Sequence, residues 1–342
     1  MEPTPAAPSW TAPGAHPVAP GVHRIPLPLP MDGLRAVNVY AIETADGLTL
    51  IDGGWAIAES RALLESALAS IDRKVSEITR FLVTHVHRDH YTQAVTVRRE
   101  FGSHVSLGLG DKPTIDLIHA EGDREDPHVE MLRRAGAPRI GTAWASYTRD
   151  ATPDLDLWGY PDTWLDGDHT IALPGRDLQA IATPGHTQGH FVFADRGAGM
   201  LFAGDHVLPT ITPSIGFEPV RAAQPLGDFL GSLAKVRALP DLLLLPAHGP
   251  VAGSTHARID ELLRFHEERL DLCREAIADE PATAYAVARR LPWTRHARRL
   301  DDLDLFNAAL ATLETHAHLD LLVARGELRA TPDDDGTLYA PA

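Results

Sequence analysis

Residues 84–90, Thr84-His85-Val86-His87-Arg88-Asp89-His90, set the tightest limit on what this chain can become. They crowd three imidazoles and one carboxylate into six positions, directly after the apolar run from Ile78 to Val83. That run reads as a buried strand, which puts the cluster on the loop at its end. No fold needs so many titratable side chains in one tight loop. Imidazole with carboxylate is, however, the donor set of zinc, iron and manganese sites.

The same pattern returns three times. An apolar stretch from Leu178 leads through Thr183-Pro184-Gly185 to His186, Met200 to Gly204 leads to Asp205, and Leu242 to Ala247 leads to His248 and then Gly249-Pro250. Proline and glycine beside each candidate mark tight turns at strand ends. Loops of this kind can converge at one edge of a sheet, where open α/β layers place their sites. A chain with 18 histidines throws up isolated pairs by accident, but not four strand-end donors in series. The fold class expected is α/β.

Taken jointly, His85-Val86-His87-Arg88-Asp89-His90, Thr183-Pro184-Gly185-His186-Thr187, Gly204-Asp205 and Ala247-His248-Gly249 resemble the metallo-β-lactamase superfamily in order and rough spacing. The upstream Leu50-Ile51-Asp52-Gly53-Gly54 is similar to that family's first motif. The resemblance covers roughly residues 20–275. It implies a four-layer αββα sandwich and a binuclear site. His85, His87 and His186 would hold one metal, Asp89, His90 and His248 the other, and Asp205 would bridge them. Asp52 would brace the site without ligating. The resemblance further implies that a bridging hydroxide attacks the electrophile while Asp89 shuttles a proton. Two divalent ions are expected: mixed His/Asp ligation with no cysteine suits zinc, with iron and manganese as alternatives. Thr84 and Asp52 are expected to orient the loop by hydrogen bonding. His190 and His206, each close behind a ligand position, are expected to support a ligand or pack rather than bind metal. Tyr91 is left between a supporting and a substrate-facing role.

Three organisational units are expected. Residues 1–20, rich in proline and alanine, read as a disordered tail, not a signal peptide. Residues 21–280 form the catalytic domain. In it, strands at 37–42 and 48–51, a helix at 58–71, a helix at 92–101 starting past the metal loop and a strand at 105–109 precede an insertion at 111–165. Short helices at 112–120 and 128–135 flank the charged run 121–126 there. Trp144, Tyr147, Trp158, Tyr160 and Trp164 follow, five of the chain's twelve Trp and Tyr residues. They suit either a helical layer or a lid over the site. His119, His128 and His169 are read as non-ligands. The Gly108-Leu109-Gly110 run is read as a turn. Residues 281–342 read as helices at 282–290, 304–318 and 319–325 followed by a hairpin, a winged-helix-like pattern. Such a tail is also similar to the superfamily subgroup of LACTB-like hydrolases and secondary-metabolite thioesterases.

Charge narrows the partners. The chain carries 31 Lys and Arg against 47 Asp and Glu, a formal net charge of −16. A field of that sign repels nucleic acid, so DNA readout by the tail is disfavoured against packing or homodimer formation. No apolar run approaches the length of a membrane span. Cys273 is the only cysteine, which excludes an intrachain disulfide and suits the cytoplasm; it reads as core. No nucleophile elbow, P-loop or dinucleotide fingerprint competes with the metal reading. The expected activity is hydrolysis of a small-molecule acyl substrate, most of all a thioester, with endoribonuclease and lactone or ester hydrolase as alternatives.

Overall fold

The structure, a computed structural model, describes residues 9–30, 33–120, 125–149, 153–294 and 296–342. The chain completes one sheet before it starts the next. Strands β1 (His16–Ala19), β2 (Val22–Pro28), β3 (Ala36–Thr44), β4 (Gly47–Ile51), β5 (Ile78–Leu82), β6 (His104–Gly108) and β7 (Thr163–Leu165) lie side by side in that order. The first four pair antiparallel, and β4 to β7 run parallel. Helices α1 (Ala58–Ala69), α2 (Arg88–Phe101), α3 (Lys112–His119), α4 (Pro127–Arg134) and α5 (Pro138–Thr148) belong to this half of the chain. The second sheet holds β8 (His169–Leu173), β9 (Arg176–Ala182), β10 (Phe191–Asp195), β11 (Met200–Gly204) and β12 (Leu243–Pro246). Its order is β12-β11-β10-β9-β8, with only the β11–β12 pair parallel. Helices α6 (Pro225–Arg237) and α7 (Thr255–Ile277) accompany it. A third, antiparallel sheet joins β13 (Ala282–Thr283), β14 (Leu328–Asp333) and β15 (Gly336–Pro341), with α8 (Ala284–Arg290) and α9 (Leu305–Ala324) between the first two of these strands.

Alternation along the strands decides the layering. Val22, Tyr40, Ile42 and Leu82 on one face of the first sheet meet Leu178, Phe191, Phe193 and Phe202 of the second. Tyr40 packs edge-on against Phe202 with centroids 5.4 Å apart. The opposite residues Val37, Val39, Leu50 and Phe81 pack under Leu64, Leu68 and Val97 of α1 and α2. Beyond the second sheet, Val192, Ala194 and Leu201 meet Phe229, Leu233, Ile259 and Leu262 of α6 and α7. Each fully buried side chain of this size contributes on the order of 1.5–3 kcal/mol. That last cluster runs without a break into Leu313, Leu319 and Tyr339, so the C-terminal elements share a core with the second sheet.

Four expectations are corrected. Residues 1–8 of the expected tail lie outside the described residues, but His16–Ala19 forms β1, and the Trp10 carbonyl accepts a 2.5 Å bond from Arg24. α2 begins at Arg88, inside the metal motif rather than past it. Residues 138–148, read only as an aromatic stretch, form α5, with Pro138 in its first turn. The two helices expected at 304–318 and 319–325 are one, α9. It buries residues around most of its circumference and so offers no amphipathic stripe from which a break is visible. The hairpin stands as expected, with Asp333 opposite Gly336. Residues 121–124 of the charged run lie outside the described residues.

The insertion's aromatics divide between two packing sites. Trp144 stacks on Phe306 of α9 at 6.0 Å and meets Phe217 at 5.5 Å. Trp158 and Tyr160 belong to a segment strapped to α2 by bonds from Arg98 to the Tyr160 carbonyl and from Tyr91 to the Gly159 carbonyl. Among the described residues no helix is long and apolar enough to cross a membrane.

Candidate metal centre

The parallel strands β4 and β5 end at the same level, which brings Asp52 beside Thr84. Asp52 holds a left-handed φ of 63°, a conformation that costs a non-glycine residue energy and persists where surroundings enforce it. Gly53 follows because a Cβ there would stand 2.6 Å from the Ala94 nitrogen of α2. The Asp52 carboxylate accepts from the Thr84 amide at 2.7 Å and from the Thr84 hydroxyl at 3.0 Å, and it meets His90 Nδ1 at 2.9 Å. With α2 starting at Arg88, Asp89 and His90 project from the helix's first turn, where an acidic group suits the helix dipole.

Seven side chains converge. His87 Nδ1 lies 2.9 Å from His85 Nε2 and 3.1 Å from His186 Nε2. His248 Nε2 lies 3.5 Å from Asp89 Oδ2 and 3.3 Å from Asp205 Oδ1, and His90 Nε2 lies 3.6 Å from Asp89 Oδ2. Asp205 faces both ways, with Oδ2 3.6 Å from His186 Nε2 and Oδ1 3.7 Å from His90 Nε2. In each of the sets His85/His87/His186, His85/His90/Asp205 and Asp89/His90/His248, the donor atoms lie within 4.8 Å of one another.

The rings are aimed from behind. His186 donates through Nδ1 to the Ser214 carbonyl and His248 through Nδ1 to the Ala36 carbonyl, both at 2.8 Å. In the neutral ring that leaves the Nε2 lone pair facing the cluster, the arrangement by which protein metal sites fix a histidine. Asn38 steadies the His248 loop through bonds to the Pro246 and Gly249 carbonyls. His190 accepts from the Asp205 amide at 3.2 Å and meets Thr183 Oγ1 at 2.8 Å, so it supports a member of the cluster without joining the donor set. Gly204 makes room for this, since a Cβ there would stand 2.7 Å from His190 Nε2.

His90 Nε2, His248 Nε2 and Asp205 Oδ1 are buried and lack a hydrogen-bond partner. Orphaned atoms of this kind, converging on one point, fit a metal ion. Charge agrees. Burial, then repulsion from His90 and His87, holds His85 well below its ordinary value. Burial and His186 bring His87 to about 3. Burial opposes charge on His90 and His248 too, yet Asp89, Asp52 and Asp205 raise His90 to about 10, and Asp205 raises His248 to about 9. The carboxylates thus draw positive charge into a buried space, a demand that a divalent cation meets.

Other candidates fall outside the cluster. His206 packs edge-on against Phe229 at 5.2 Å, one ring beyond His190, and burial lowers it to about 3. Tyr91 donates to Gly159 and does not face the site. His119, His128 and His169 bond to the carbonyls of Trp158, Phe217 and Gly167. Burial pushes the Cys273 thiol up to about 12, which suits a core residue. Two buried carboxylates escaped the sequence reading: Asp111, raised to about 7 by burial, and Glu218, raised to about 9 by burial and by Asp111.

A family model described as the metallo-beta-lactamase superfamily matches residues 32–248, a span that contains the whole cluster. The chain belongs to the metallo-beta-lactamase superfamily. Bacillus subtilis has a relative named "probable metallo-hydrolase YqjP", 26% identical over 88% of this chain and 91% of its own length. An "atrochrysone carboxyl ACP thioesterase" of Aspergillus fumigatus is 25% identical over 72% of this chain and 46% of its own length. The crystal structure of a "beta-lactamase domain protein" from Burkholderia ambifaria superposes with a TM-score of 0.76 at 26% identity, covering 99% of this chain and 98% of that one. The likeness to that structure therefore extends over the C-terminal sheet, beyond the residues that the family model matches. Family, donor set and relatives agree on a metal-dependent hydrolase.

Proposed function

We propose that this superfamily member hydrolyses acyl thioesters with two divalent ions, zinc in the first instance. The observation that carries the reading is the pairing of two donor sets on either side of one carboxylate, Asp205, with orphaned nitrogens of His90 and His248 facing it. His85, His87 and His186 would hold one ion, Asp89, His90 and His248 the other, and Asp205 would serve both. When bound, the ions supply Lewis acidity and water acidified enough to be a nucleophile at neutral pH.

The chain's own residues do the rest. Asp52, through His90 Nδ1 and Thr84, and the Ser214 and Ala36 carbonyls keep the imidazoles from turning. Asp89 directs Oδ2 at His90 and His248 and is partly exposed, so its other oxygen is placed to accept and pass on a proton. The thioester preference is supported by the Aspergillus thioesterase among the relatives and by the net charge of −16, which disfavours a polyanionic substrate. The C-terminal tail acts in packing, since its long helix α9 is buried along most of its length.

The test is thiol release from a panel of acyl-CoA and acyl-glutathione thioesters by metal-loaded protein, with Asp89→Ala as the blank. Asp89-dependent release supports the reading. No release from any thioester, with turnover of lactones or RNA instead, replaces it.

A further inference from the structure

The segment Gly108-Leu109-Gly110-Asp111, at the end of β6, is more than a turn. It runs backbone against backbone along Gln188-Gly189, just past His186. A Cβ on Gly108 would stand 1.9 Å from the Gly189 carbonyl oxygen, one on Gly110 2.3 Å from the Gln188 carbonyl oxygen, and one on Gly189 2.4 Å from the Asp111 nitrogen. The two stretches touch only because all three positions lack side chains.

Asp111 sits in this seam, completely buried. Its Oδ2 accepts from the Val86 amide and its Oδ1 from the Gly189 amide, both at 2.8 Å. Val86 lies between His85 and His87, and Gly189 is three residues beyond His186. One carboxylate therefore grips both loops whose histidines form the first donor set. Glu218 holds the same stretch from its other side, accepting from the Gln188 amide at 3.1 Å and from Thr114 Oγ1 at 3.4 Å. Burying a carboxylate is expensive, and Asp111 faces no ligand atom of the cluster through a hydrogen bond. Its bonds go to the two loops.

We propose that Asp111 is a positioning residue that sets the separation between the His85–His87 loop and His186. It thereby tunes the affinity of the ion those three histidines would hold and leaves the Asp89/His90/His248 set unaffected. The proposal rests on the metal-dependent reading of the site but on no particular substrate. The asymmetry follows from connectivity. The second set draws Asp89 and His90 from α2, anchored by Asp52, and His248 from the loop after β12, anchored by Ala36 and Asn38. Neither anchor passes through Asp111.

The experiment titrates Co²⁺ into metal-free wild type, Asp111→Asn, His186→Ala and Leu64→Ala, following heat and the visible cobalt spectrum. Leu64 packs between α1 and the first sheet, so its truncation weakens the fold away from the site. Wild type is expected to bind in two steps. Asp111→Asn should lose about 10–100-fold in affinity at one step, the range typical of groups that orient a metal's ligands. That step should be the one His186→Ala abolishes. Leu64→Ala should lower the unfolding midpoint with both steps intact. Should Asp111→Asn not fold, Gly189→Ala opens the same seam with the carboxylate kept, and the same selective loss is expected. Equal weakening of both steps, or none, overturns the role given to Asp111. Absence of cobalt binding by wild type overturns instead the metal reading beneath it.

Discussion

Two groups of buried histidine lie in this molecule, and they share a sequence spacing. His85 and His87 are separated by one residue, and so are His316 and His318. In the first group the spacing falls on a strand-end loop, and the rings converge with centroids 4.5 Å apart. In the second it falls within α9, where residues two apart do not share a face. His318 there stacks instead on His266 of α7, with centroids 5.3 Å apart and nitrogens 3.2 Å apart. The groups are even linked, since His190, His206, Phe229 and His266 follow one another ring to ring at 6.0, 5.2 and 5.5 Å. Burial does not distinguish them. Carboxylates separate the first group from the stacked pair: Asp89, Asp52 and Asp205 face ring nitrogens of the first group and Asp320 lies 3.7 Å from His316 Nε2, whereas burial, His318 and Arg269 keep His266 well below its ordinary value. In the first group those acids raise His90 and His248 while burial lowers His85 and His87; in the second His266 and His318 are both lowered. What fits the first group for a metal is the set of acids and carbonyls that aim its rings.

The sharpest way to break this contrast is to remove the shared acid. Asp205→Ala should cut turnover by roughly 10³-fold or more if, as proposed, Asp205 would serve both ions and the ions would supply the acidified water. His318→Leu should leave turnover near wild type. Comparable losses in the two variants would erase the distinction.

Metal removal should act on one group only. A chelator should lower the stability of wild type by about 4 kcal/mol for an ion previously present at 1,000 times its Kd, as read by thermal unfolding, and should affect Asp205→Ala much less. An equal shift in both would place the metal elsewhere.

Weakening the support rather than the ligand should give an intermediate effect. Asp52→Asn keeps the shape but loses the charge facing His90, and should reduce metal affinity by about 10–100-fold, measured by competition with a chromogenic chelator.

In metal-free protein acid should act on the other group as well as on the lowered His85 and His87. His318 is lowered to about 4, by burial first, so between the unfolded value near 6.5 and about 4 the unfolded chain binds a proton the fold excludes. Stability is full above about 6.5 and should fall with pH below it, by about 1.4 kcal/mol per unit for that proton. His266 adds to the effect in the same direction. Arg269, which faces His266, and the backbone carbonyl of Glu314, which meets His318, complete these surroundings. Urea unfolding of metal-free protein from pH 7.5 to 5 should show this slope, flattened in His318→Leu. An unchanged slope would mean other groups carry the acid sensitivity.

How much of this was legible follows from what sequence encodes. The seven cluster residues and Asp52 stand at the ends of apolar runs, so residue type, order and spacing single them out as candidates, and the fold brings the seven together. Asp111 and Glu218 were invisible: each is one acid among 47, and their roles arise from backbone amides brought near by folding. Gly108 and Gly110 were visible as glycines, but the close approach they permit is to a loop eighty residues away. The start of α2 was missed because His87 caps it without a side-chain bond. The continuity of α9 was missed because a helix buried on most sides shows no period.

The measurement that bears most directly on the account is metal content against turnover. Metal-free protein should be reconstituted with zinc in steps, with bound metal and thioester hydrolysis followed together. The expected result is two ions per chain and turnover that rises as the pair fills, with neither seen in Asp205→Ala. A chain that takes up no metal, or hydrolyses as fast under chelation, would contradict the reading of these seven residues as a hydrolytic metal centre.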